Sequence, residues 1–120
     1  MKVAVTTAGS DLNAEVDPRF GRVKNLLIFD TETKDYEILD NSAIQGAAQG
    51  AGIQTARRVV ESGAETVITG HCGPNAFRTL TAAGVTVVIG VEGMSIADAL
   101  ASLQSGELKP ASGADVQEHW

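Results

Sequence analysis

Residues 2–7, Lys-Val-Ala-Val-Thr-Thr, form a short β-branched apolar run of strand length. Residues 24–30 repeat the pattern as Lys-Asn-Leu-Leu-Ile-Phe-Asp. A polar turn over residues 31–34 then leads into a weakly alternating outer strand over residues 36–40. From there the apolar period changes from two to that of a helix. Ile53, Ala56, Val59 and Val60 share one face, Arg57, Arg58 and Glu61 the other, and Gly63 ends the helix. Residues 66–69 read as a strand. Pro74 suits a first helical position, Ala76, Phe77, Leu80 and Ala83 mark the next apolar stripe, and Gly84 closes it. Residues 85–89 are the most β-prone run. Ser95 then serves as N-cap for a helix with Ile96, Ala99, Leu100 and Leu103 on its core face, stopped by Gly106. The order is β-β-β-α-β-α-β-α. Strand and helix alternate in the second half, which implies parallel strands with right-handed crossovers, while the opening hairpin makes the sheet mixed.

Two stretches resist this reading. Residues 8–22 have no sustained period and read as a long loop, a feature often tied to function. Residues 41–52 are rich in Gly and Ala and read as a loop opening into a helix. Residues 109–120 are polar, with Pro110 and Gly113, and read as a C-terminal tail that Trp120 pins; His119 has no role there.

Composition narrows the function classes. At 120 residues the chain is one domain, residues 1–108, followed by the tail 109–120. A single cysteine excludes an internal disulfide and a closed zinc site. No run approaches the roughly 20 apolar residues of a membrane span, and no signal peptide is visible, so the expectation is a soluble cytoplasmic protein. Fifteen acids against nine Lys and Arg give a net charge of −6, a poor basis for nucleic-acid binding. Five of those acids lie between Asp30 and Asp40 against one Lys34. They read as a solvated edge hairpin that resists edge-to-edge pairing, or as an interaction surface for a regulatory partner.

In open α/β sheets ligands bind beyond the carboxyl ends of the strands. Three loops would meet there: residues 7–22, 41–52 and 70–75. Two run into helix starts, where unpaired N–H groups favour an anion, and the first carries Arg19 and Arg22. The pattern therefore predicts a locally positive pocket, with backbone donors around Gly50 and Gly52 and at Gly73 and Asn75, which flank Pro74. Cys72 beside His71 at a helix start predicts a lowered thiol pKa and a nucleophile or soft-metal ligand; otherwise it is a small thiol packed behind the turn. His71-Cys72, five residues, then Arg78-Thr79 also resembles the phosphate-binding signature of cysteine-dependent phosphatases. Local physics opposes that alternative: Pro74 removes one N–H from the cradle, and Arg78 falls a turn up the helix.

Five motifs together resemble the dinitrogenase iron-molybdenum cofactor biosynthesis family over about residues 1–108. They are the first strand, Arg19-Phe20-Gly21-Arg22, the Gly50-Ala51-Gly52 helix entry, Gly73-Pro74-Asn75-Ala76-Phe77, and residues 91–100. The resemblance implies a three-layer α/β ribonuclease-H-like fold, with a five-stranded mixed sheet of order 3-2-1-4-5 and strand 2 antiparallel. It implies a non-enzymatic carrier of an anionic metal–sulfur cluster, with a protein partner that receives or senses the cluster. For a small stand-alone acidic member it implies a non-covalent molybdenum–copper sulfide cluster, the alternative being the iron-molybdenum cofactor or its iron–sulfur precursor. Family members often carry histidine before Phe-Gly-Arg; here Arg19 puts a positive charge in that place.

Overall fold

The computed structural model describes residues 1–116. Its strands are β1 (Lys2–Thr7), β2 (Asn25–Asp30), β3 (Tyr36–Asp40), β4 (Thr66–Ile68) and β5 (Thr86–Val88). The helices are α1 (Ser42–Gln45), α2 (Ala51–Glu61), α3 (Pro74–Ala82) and α4 (Ile96–Gln104). The five strands form one sheet in the order β3-β2-β1-β4-β5. β2 runs antiparallel to both β1 and β3, whereas β1, β4 and β5 are mutually parallel. The order and the antiparallel second strand agree with the expectation from sequence.

Alternation along each strand builds two cores. Ala4, Leu26, Ile28, Val67 and Val87 face α2 and α3, where Ala56, Val59, Ala76 and Leu80 complete one cluster. Their neighbours Val3, Val5, Leu27, Phe29, Ile68 and Val88 face α4, where Ile96, Ala99 and Leu100 complete the other. The result is three layers, with the central strands buried on both faces as their near-continuous apolar runs require. The outer strand β3 stays largely exposed. Ser95 caps α4 as its position predicts, its side chain accepting from the Asp98 amide at 3.1 Å. None of the described helices is long and apolar enough to cross a membrane.

Two stretches differ from the sequence expectation, and a third, the expected loop of residues 8–22, shows how it is ordered. The glycine-rich entry to α2 contains an extra turn of helix, α1. Residues 8–22 lack a period because their order comes from backbone bonds to distant elements. The Asp17 amide donates to Thr6 O at 2.8 Å, the Val16 amide to Met94 O at 2.8 Å and the Gly70 amide to Asp17 O at 3.1 Å. The buried Thr6 hydroxyl adds a bond to Thr69 Oγ1 at 2.8 Å. The polar stretch after α4 also returns to the body: the Ala111 amide donates to Val87 O at 2.7 Å and the Asp115 amide to Cys72 O at 3.1 Å. His119 and Trp120 lie outside the described residues.

Candidate functional site

The parallel strands β1, β4 and β5 all point their carboxyl ends at one rim of the sheet, and the loops singled out from sequence converge there. Residues 17–20 run alongside the extension of β4. The His71 amide donates to Pro18 O at 2.8 Å, the Phe20 amide donates to His71 O at 3.2 Å, and Arg19 pairs with His71 as a parallel bridge. Gly70 makes this passage feasible, because a Cβ there would fall 2.5 Å from Pro18 Cα and 2.9 Å from Glu92 Cβ.

Phe20 anchors the segment. Its ring is 2% exposed and packs in the same core cluster as Cys72 and Ala76. With that ring fixed, Gly21 is laid against the first turn of α2: a Cβ on Gly21 would sit 2.9 Å from both Cα and N of Gly52. Thr55 reinforces the contact by donating to Gly21 O at 3.2 Å. The buried Asn41 amide ties Val23 O and Thr55 Oγ1 together at 3.1 Å each. Gly52 in turn abuts α3, since a Cβ there would be 3.4 Å from the Ala76 Cβ. The starts of α2 and α3 therefore lie side by side.

Neither helix start has a side-chain cap. α2 begins after Gly50, whose φ of +74° is the left-handed conformation that glycine adopts without strain. α3 begins after the extended Gly73, with Pro74 at its first position and Asn75 next. Asn75 turns its side-chain oxygen along the helix toward Arg78 Nη1, at 3.3 Å. Arg22 is held on the approach to α2: its Nη1 donates to Gln45 O at 3.1 Å and Ala47 O at 2.5 Å. Both partners are carbonyl oxygens rather than carboxylates, so its positive charge is positioned without being neutralised by them. Arg19 is exposed on the same segment.

The His71–Cys72 pair requires correction. The Cys72 side chain is 1% exposed and belongs to the core under α3. Burial pushes its thiol up to about 12, with the Asp115 charge adding to the shift. The expected lowering by the helix start and His71 fails because desolvation of a thiolate outweighs a partial dipole charge. A protonated, enclosed thiol is not a nucleophile, and with Arg78 exposed on α3 the phosphatase-like pattern makes no phosphate cradle. His71 is likewise engaged at both ring nitrogens: Nε2 lies 2.5 Å from Glu92 Oε2 and Nδ1 2.7 Å from Asp115 Oδ2. The hydrogen bond that His71 donates to the Asp115 carboxylate, aided by the Glu92 charge, raises the His71 pKa above its ordinary 6.5 against an opposing effect of burial. In this arrangement neither His71 nor Cys72 presents a ligand atom to a metal.

Glu92 and Asp115 are the site residues that sequence reasoning missed. Asp115 is distant in sequence from His71 and carries no local motif, and Glu92 falls within the 91–100 motif without any signal there that it meets His71. The α2–α3 seam, the two flanking arginines and a carboxylate-bound histidine thus lie together at one rim of an α/β sheet.

The chain belongs to the family described as dinitrogenase iron-molybdenum cofactor, whose model matches residues 1–106. Among solved structures it is similar to the apo form of the orange protein from Desulfovibrio gigas. The two share 38% identity over 96% of each chain, with a TM-score of 0.93. It is also similar to a putative NifB protein from Thermotoga, at 33% identity over 98% of this chain and 97% of that one, with a TM-score of 0.81. No curated protein matches it significantly. Membership and likeness together support a role in cofactor biosynthesis or carriage.

Proposed function

We propose that the chain is a non-enzymatic carrier of an anionic metal–sulfur cluster, specifically a mixed molybdenum–copper sulfide. The iron-molybdenum cofactor or its iron–sulfur precursor is the alternative cargo. The observation that carries the reading is the pair of helix starts without side-chain caps, joined through Gly21, Gly52 and Ala76. The first-turn amides of a helix have no partner within it and carry a partial positive charge, which suits an anion. Arg22, with Arg19 beside it, supplies full charges at the edge of the same surface.

The donor set also favours a preassembled cluster over a bare ion. Among the described residues no three His, Cys, Asp or Glu side chains group as a metal site, and the single thiol is buried. Metals held here would keep their own sulfides as ligands, and the protein would bind the sulfide surface through N–H groups and arginine. Gly50, Gly52, Gly73 and Asn75 provide backbone donors in this reading. Phe20, Gly21 and Pro74 shape the floor. A protein that receives or senses the cluster would complete the cycle.

The test is reconstitution. Apo-protein mixed with tetrathiomolybdate and a copper salt should keep a visible chromophore through gel filtration, with molybdenum and copper found by elemental analysis. Arg22→Gln should lower retention about tenfold, the scale of one charge-assisted hydrogen bond, with little change in unfolding midpoint. A wild-type protein that emerges colourless and metal-free overturns the molybdenum–copper assignment.

A further inference from the structure

The stretch after α4 is placed where cargo would enter. Leu108 packs against the α4-side core. The chain then crosses the open edge of β5, where the Ala111 amide donates to Val87 O at 2.7 Å. It next reaches the β4–α3 loop, which Asp115 meets three times. Its amide donates to Cys72 O at 3.1 Å, its Oδ1 accepts from the Cys72 amide at 2.8 Å, and its Oδ2 lies 2.7 Å from His71 Nδ1. The Cys72 amide immediately precedes Gly73, the N-cap of α3. A carboxylate held by a backbone N–H and an imidazole at a helix entry is a bound anion, and here the anion belongs to the chain itself.

We propose that residues 107–116 are an autoinhibitory strap, whose Asp115 carboxylate fills an anion subsite at His71 and Cys72 that anionic cargo must take over. The proposal rests on the carrier reading, because the competing anion is that cargo. Among the described residues, the strap's backbone is tied to the sheet at Ala111, and the Asp115 side chain remains about 29% exposed, so solvent and solutes reach the carboxylate. The attachment is specific, because the other face of His71 is already taken by Glu92 from the loop after β5. Arg19, whose backbone pairs with His71, lies beside the subsite.

The full-length chain tests this with Asp115→Asn, which keeps the shape and removes the charge, and Asp115→Ala, which removes both. Tetrathiomolybdate is the probe. The expected result is about tenfold tighter retention in both variants and at least tenfold faster hydrogen exchange of the Ala111 amide. In the wild-type chain the probe itself should accelerate Ala111 exchange. Equal or weaker retention in the variants, or wild-type exchange at Ala111, overturns the strap while leaving the carrier intact. Absence of retention in all three proteins overturns the carrier reading and the competition with it.

Discussion

Segments 19–22 and 71–75 lie side by side at the rim of the sheet, yet their donors meet different partners. On the first, Phe20 is locked in the core, Gly21 touches bare backbone, and Arg22 is fixed by neutral carbonyl oxygens. On the second, the Cys72 amide and both nitrogens of His71 are met by carboxylates of Glu92 and Asp115. The carbonyl partners of Arg22 leave its charge unneutralised, whereas the Cys72 amide and the His71 ring are already spent on the chain's own acids. Anion affinity is therefore a property of which donors stay uncommitted, and proximity to a helix start is insufficient to create it.

The largest expected effect comes from removing the anchor of the first side. Phe20→Ala empties a fully enclosed ring site and should cost about 3–5 kcal/mol, read as a lowered urea midpoint. It should also loosen Gly21 from Gly52, so retention of a thiomolybdate probe should fall further than the lost stability explains. Unchanged retention in the folded variant would separate the anchor from the anion surface and break the comparison.

A middle-sized effect belongs to the second side. His71 has its native pKa raised above 6.5, so its contribution to stability is full below that value and fades as pH rises through the native pKa. Titrating the His71 ring signals by NMR should give a midpoint above 6.5, and Asp115→Asn should lower it. Over the same pH window the Arg22 side should show no matching change in its amide signals. A His71 midpoint at or below 6.5 would remove the electrostatic distinction between the two segments.

The smallest effect is expected at Cys72. With the thiol buried and protonated, Cys72→Ser should leave thiomolybdate–copper retention within about twofold while costing around 1 kcal/mol for a hydroxyl in an apolar site. Native-state labelling by a thiol reagent should be slow and should speed up only on unfolding. A large loss of copper in the variant would return Cys72 to the ligand set and erase the contrast drawn above.

Much of the fold was legible because its signals are local. The short apolar runs at residues 2–7 and 24–30 and the helical stripes at Ala56–Val59 and Ala76–Leu80 each identify their own element. The glycine entries at residues 50–52 and 73 were legible for the same reason. The state of Cys72 was not, because its burial depends on Phe20 and Val23 arriving from a distant part of the chain. The helix-start argument was sound for an exposed thiol and failed for a desolvated one. Asp115 contacts Cys72 across 43 positions and sits in a polar stretch with no periodicity, so nothing in its neighbourhood announces the pairing. The short helix α1 was hidden in the same way by its glycine- and alanine-rich surroundings.

The meeting of Gly21 with Gly52 has a consequence beyond shape. A surface made from main chain has no rotamers to freeze, so a guest bound there would leave the conformational entropy of the protein almost untouched. Its amide hydrogens also do not titrate in the physiological range, so the grip at that seam would be the same in acid and in mild base. What such a seam sacrifices is adjustability: with no side chain at the contact, it recognises the size and charge of a rigid inorganic body and tolerates no compromise in either.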